Sequence, residues 1–127
     1  MIKQEKILPR AIIELTGITD KEIENNAIPL DQAIKQLSSF IDSSLVVGYI
    51  IGFDSDFIEA ASKLCNMECP VRKTKDVLSI ARRKIDNITD YKMRTIASFF
   101  SIPTKTCHRA MVDCETIYRI LMKLNEI

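Results

Sequence analysis

Apolar residues recur at helical spacing along much of this chain. Leu30, Ala33, Ile34, Leu37, Phe40 and Ile41 fall three and four apart and predict an amphipathic helix, opened by Pro29 at its first turn. Before it, "DKEIENN" predicts a short helix capped by Thr19 or Asp20, with acidic residues in its first turn. The opening stretch "KILPRAIIELTGIT" is apolar but irregular, with Pro9 and Gly17 as breakers. The pattern then changes. "LVVGYII", Leu45 to Ile51, is a continuous apolar run rich in β-branched residues, as in the buried strands of parallel sheets, and Gly52 ends it. "FDSDFIEAASKLC" returns to helical spacing, with Phe57, Ile58, Ala61, Leu64 and Cys65 on one face. "CPVRKTKD" predicts a second, short strand. "VLSIARRKI" and "YKMRTIASFF" are helices separated by the loop "NITD", and "SIPTKTCHR" is a loop broken by Pro103. The last helix runs from about Arg109 to Leu124 and carries Ile117, Ile120, Leu121 and Leu124 on its apolar face.

This inventory predicts an α/β domain, mostly helical, with one strong strand and one weak one. A lone buried strand leaves backbone groups that need partners. The 127 residues suffice for one domain with a modest core. The 46% hydrophobic and 28% charged content is ordinary for a globular protein. No apolar run reaches the roughly 18 residues of a membrane span, and "MIKQEKILPR" has no signal-peptide core. The expectation is a cytoplasmic protein with no membrane partner.

Charge is uneven beneath a net +1: residues 1–70 hold 6 Lys+Arg against 11 Asp+Glu, and residues 71–127 hold 12 against 6. The basic half suits a polyanion or simply a solvated surface. The four cysteines raise a zinc question, because Cys65 and Cys69 are four apart and Cys107, His108 and Cys114 follow. Structural zinc sites usually join two tight pairs at turns, whereas these cysteines sit in or beside helical patterns, where small buried hydrophobes fit better.

Three polar residues stand where chemistry is often found. Asp54 follows the strong strand, at the end where open α/β sheets bind ligands, yet it also suits a helix N-cap. His108, the only histidine, lies in a loop before the last helix. Asp113 stands about one turn into that helix, where a carboxylate is also favoured for the helix's own sake.

Taken together, they form a pattern. "HRAMVD" matches H-x-A-x-x-D, and "GYIIGFDSDFI" resembles G-Y-N-x-x-F-D-x-x-F-L. "LTGIT", "TKDVLSIARRKI" and "YKMRTIASFFSI" resemble further segments in the same order. From Ile7 to Leu124 the chain thus resembles the DEDDh, or DnaQ-like, 3′–5′ exonucleases, and most nearly the type built into PolC polymerases. The resemblance implies a ribonuclease H-like exonuclease fold and two-metal hydrolysis at a nucleic-acid 3′ end, DNA in preference to RNA. Two divalent cations about 4 Å apart would clamp the attacking and leaving oxygens, and carboxylates suit Mg²⁺ or Mn²⁺. It further implies Asp54 and Asp113 as metal ligands, His108 as the general base near neutral pH, and Tyr49, Phe53 and Phe57 as substrate contacts.

The chain departs from the family in two places. It has no Asp-x-Glu motif on a first strand; its Asp-x-Glu-like sequences lie in predicted helices. Ile50 stands where the signature often has asparagine, which weakens the expected substrate contacts. The expectation is therefore a truncated fold, a single partial exonuclease domain over residues 1–127 without the first three strands. Such a remnant would leave the edge from Leu45 to Ile51 bare, to be covered by a homodimer or a partner chain. By itself it would have little or no activity. The other reading is a degenerate, non-catalytic relic that binds nucleic acid or protein.

Overall fold

A computed structural model describes residues 1–104 and 110–127. Among the described residues the elements are α1 (Arg10–Thr16), α2 (Asp20–Asn26), α3 (Leu30–Ile41), β1 (Val46–Gly48), α4 (Ile51–Leu64), β2 (Thr74–Asp76), α5 (Val77–Lys84), α6 (Met93–Phe99) and α7 (Ala110–Glu126). The two strands pair in parallel, with Val46 opposite Thr74 and Gly48 opposite Asp76. A mostly helical chain with a parallel sheet agrees with the α/β expectation. No helix among the described residues is long and apolar enough to cross a membrane.

The chain divides into two compact units, Met1–Ser44 with Ser55–Arg72, and Leu45–Asp54 with Lys73–Ile127. In the first unit, the opening stretch is a helix rather than irregular. Its two breakers bound it: Pro9 precedes α1, and Gly17 closes it at φ 67, donating its N–H to the Ile13 carbonyl. Breakers at both ends of a seven-residue run terminate a helix without preventing it. Thr19 caps α2 as its position predicts, its hydroxyl accepting from the Glu22 N–H. Asp20 does something else, accepting from the Leu8 N–H at 2.9 Å. On α3, Ile34 and Ile41 are buried, but Phe40 is 86% exposed although it shares their spacing. On α4, Phe57 and Leu64 are likewise exposed, while Ser62 is fully buried and returns its hydroxyl to the Ile58 carbonyl. Asn66, at φ 52, ends this helix in the left-handed region, and Met67 N–H reaches back to the Ser62 carbonyl.

The second unit is organised by an apolar cluster of Val77, Ile80, Ala81 and Ile85 from α5 and its end, Ile96 and Ala97 from α6, Ile102, and Ile120 and Leu124 from α7. Val47 and Tyr49 at β1, with Ile117 and Leu121 of α7, pack against it. Fully burying one such aliphatic side chain contributes about 1.5–3 kcal/mol. Lys84 adds a polar tie, its Nζ donating to the Leu124 carbonyl at 2.7 Å, where the end of α7 favours a cation. The strong strand is shorter than its apolar run. It stops at Gly48, because Ile50 turns into the left-handed region at φ 59 and Ile51 already begins α4. Gly52 therefore lies inside a helix, not at a strand end.

Candidate functional site

The site predicted from sequence starts at the end of β1. Gly48 is buried there, and a Cβ on it would meet Ile51 Cδ1 at 2.5 Å and Ile51 Cβ at 3.2 Å. Only glycine lets the buried Ile51 close over the strand end, which starts α4 directly. Asp54 then falls in the first turn of α4 and is exposed. A carboxylate is favoured at that helix end and is open to a ligand. Phe53 and Phe57, predicted substrate contacts, are each 72% exposed on the same helix.

Tyr49, the third predicted contact, is half-buried. Its hydroxyl donates to the Tyr91 carbonyl, and the Tyr91 hydroxyl donates to the Ile85 carbonyl at 2.7 Å. Burial, with help from the nearby charges of Asp76 and Asp90 and against Arg82, pushes the Tyr49 hydroxyl up to about 12. The fold thus uses the hydroxyl to tie the strand end to the loop beyond α5.

Asp113 lies in the first turn of α7. Its Oδ1 is buried and has no hydrogen-bond partner among the described residues. A buried, unmatched carboxylate oxygen is costly, by roughly 1–3 kcal/mol or more for a charged group. Such an atom is what a cation would satisfy. Asp54 and Asp113 both belong to the second unit, whose β1 and α7 pack on one apolar cluster. Both offer oxygen, the hard donor that Mg²⁺ and Mn²⁺ prefer over Zn²⁺-type thiolate sets. His108, with Cys107, lies outside the described residues. Among the described residues, no three of the His, Cys, Asp and Glu side chains gather as a metal-ligand set. Cys65 and Cys69 are half-buried free thiols and Cys114 is exposed. The literal Asp-x-Glu sequences, Asp20-Lys21-Glu22 and Asp113-Cys114-Glu115, lie in α2 and α7 and not on a strand.

Asp76 is a residue the sequence reading passed over. It ends β2 and caps α5, with Oδ1 accepting from Leu78 N–H at 3.3 Å and Oδ2 from the Ser79 hydroxyl at 2.8 Å. The same Oδ1 accepts from the Ile50 N–H at 2.8 Å. Burial works to raise its pKa, but the Ser79 hydroxyl and the Ile50, Leu78 and Ile51 amides outweigh it and hold the carboxyl below the usual range. An aspartate before an apolar helical run signals the cap. No local signal announces the long-range bond to Ile50.

Comparison with known proteins bears on this site. The family described as exonuclease matches residues 1–121. The chain is 27% identical, over 99% of its length, to a Mycobacterium tuberculosis protein named provisionally as a bifunctional exonuclease/endonuclease. It is 29% identical over 92% of its length to the PolC-type DNA polymerase III of Bacillus subtilis. It is 25% identical over 99% of its length to the 3′-5′ exonuclease DinG of Staphylococcus epidermidis. It spans 20%, 8% and 14% of these relatives, respectively. With the match running almost end to end, the chain belongs to the exonuclease family.

Proposed function

We propose that these residues form part of a DEDDh 3′–5′ exonuclease site that removes nucleotides from DNA 3′ ends. The observation that carries the proposal is the buried Oδ1 of Asp113, unmatched among the described residues and inside the H-x-A-x-x-D match. Asp54 and Asp113 are the residues of this chain that would hold divalent metal, Mg²⁺ or Mn²⁺. The metal, when bound, supplies charge neutralisation at the scissile phosphate and a more acidic water. His108 is the general base by its place in the motif, since an imidazole titrates near neutral pH. Phe53 and Phe57 offer exposed rings on which bases can stack. Tyr49 contributes to substrate binding through its ring, its hydroxyl being committed to Tyr91.

Two aspartates compensate poorly for two divalent cations. The Asp-x-Glu carboxylates of the complete site come, on this reading, from outside the present 127 residues, through more of the same polypeptide or through a second chain. The edge of β1, open among the described residues, supports this. In a parallel ladder in which Val46 and Gly48 face β2, the N–H and C=O of Val47 point to the other side. A strand from a second copy or a partner chain would satisfy them. The reading carries a cytoplasmic location with it.

The test is release of nucleotides from a 5′-labelled single-stranded DNA in Mg²⁺ or Mn²⁺. The 127-residue chain is expected to be nearly inactive alone and active once an Asp-x-Glu-bearing segment is supplied. Activity of the complemented protein should fall by about 10²–10⁴ on His108→Ala, the usual weight of a general base, and disappear on Asp113→Ala. Activity indifferent to Asp113→Ala would overturn the proposal. Light scattering at micromolar concentration tests the edge; a strictly monomeric species would remove the case for self-association.

A further inference from the structure

We propose that Asp76 is a positioning residue for Asp54: its carboxylate clamps the left-handed turn through Ile50 and so sets the first turn of α4, on which Asp54 stands. The inference rests on reading Asp54 as a metal ligand and adds the device that holds it in place.

The turn between β1 and α4 is strained. Ile50 sits at φ 59, and a β-branched side chain is poorly tolerated in that region. A non-glycine residue there costs about 1–2 kcal/mol. Left alone, the stretch from Gly48 to Ile51 would relax toward an extended form, and the start of α4 would move with it. Asp76 stands directly opposite Gly48 in the parallel register, at the point where the chain leaves the strand. Its carboxylate accepts the Ile50 N–H at 2.8 Å and a second hydrogen bond from the Ile51 amide. These are donors at the mouth of α4, where helix N–H groups have no intrahelical acceptor. A carboxylate placed there is also favoured by the helix field.

Capping α5 needs only the bonds from Leu78 and Ser79. The bonds from Ile50 and Ile51 are additional, and they join β2 and α5 to the turn that carries Asp54. One carboxylate therefore serves two helix starts, and only one of them bears a proposed metal ligand. Asparagine, which the signature often has at position 50, enters the left-handed region more readily than isoleucine. Here the strained isoleucine leaves the turn more dependent on Asp76.

Nuclear magnetic resonance on the whole 127-residue chain, with Mn²⁺ as the probe, separates clamp from cap. Asp76→Ser keeps a capping hydroxyl for α5 but is too short to hold the turn as well. Wild type is expected to show Mn²⁺ broadening of the amides of residues 53–55. Asp76→Ser should speed Ile50 and Ile51 amide exchange and raise the Mn²⁺ concentration for half-broadening, each by about tenfold, the weight of one charge-assisted hydrogen bond. Adding Ile50→Gly should recover much of the Mn²⁺ response, because glycine holds the turn without help. Asp76→Asn, which keeps both reach and cap, should cost less than Asp76→Ser and carries the test if the serine variant does not fold. An unchanged Mn²⁺ response in Asp76→Ser, or in Asp76→Asn where that variant carries the test, overturns the positioning role while leaving the metal reading intact. No broadening at residues 53–55 in wild type overturns the metal reading of Asp54 and the positioning role with it, and amide exchange then decides whether the clamp itself exists.

Discussion

The Tyr49 hydroxyl donates to the backbone carbonyl of Tyr91, joining the end of β1 to the loop that follows α5. The Tyr91 hydroxyl continues the chain to the Ile85 carbonyl, and the Arg82 guanidinium lies 6.0 Å from the Tyr91 ring centre. Tyr49→Phe deletes the first link and leaves a partly buried carbonyl unmatched. It should destabilise the protein by about 1 kcal/mol, read as a lower urea midpoint.

The same hydroxyl makes a pH prediction. Its pKa is raised from 10.0 to about 12, chiefly by burial. The folded state therefore holds this proton more tightly than the unfolded chain. The associated stability is complete below pH 10 and is lost as pH rises through about 12. Urea midpoints taken across this window should fall more steeply for wild type than for Tyr49→Phe. Equal slopes would refute the assignment.

Gly48→Ala would push a methyl to 2.5 Å from Ile51 Cδ1, with Ile51 Cβ and Cγ1 at 3.2 and 3.3 Å behind it. The far methyl can turn aside, but the nearer carbons cannot. The cost should be about 1–3 kcal/mol, as for other overpacked sites. Thermal unfolding checks it, and a midpoint unchanged from wild type would show that the start of α4 yields.

Ile50→Gly should do the opposite. The side chain is more than half exposed, so little burial is lost, while the strain of φ 59 is removed. The expected gain is about 1 kcal/mol, measured by chemical denaturation.

Asp113→Ala should separate stability from function. It removes a buried oxygen that has no partner among the described residues, from a helix that alanine favours. A stabilisation of about 1 kcal/mol is expected, together with loss of Mn²⁺ response in residues of the first turn of α7. A large destabilisation would mean that the carboxylate is structural.

Much of the local structure was legible in single residues. Thr19, Pro29 and the Ile117, Ile120, Leu121, Leu124 stripe mark their helices correctly, because caps and periodicity act over a few residues. Pro9 and Gly17 were visible too, but as generic breakers; whether a breaker ends a helix or precludes one depends on what the intervening residues pack against. Phe40, Phe57 and Leu64 share the spacing of buried neighbours yet stand exposed, since periodicity names a face and not its cover. Of the candidate site, Asp54 and Asp113 were legible from their motifs and fall at helix first turns.

The sequence by itself determined the order of elements from α2 onward, the places of two short strands and the carboxylates at two helix starts. These follow from turn chemistry, β-branching and motif spacing, all of which are local. Only the tertiary structure decided that β1 stops at Gly48, that Ile50 bends into a left-handed turn, that Asp76 answers it from the neighbouring strand, and that the Tyr49 hydroxyl is spent on Tyr91. Each of these is a balance between local strain and a hydrogen bond from residues distant in the chain, and such a balance exists only once the chain has folded.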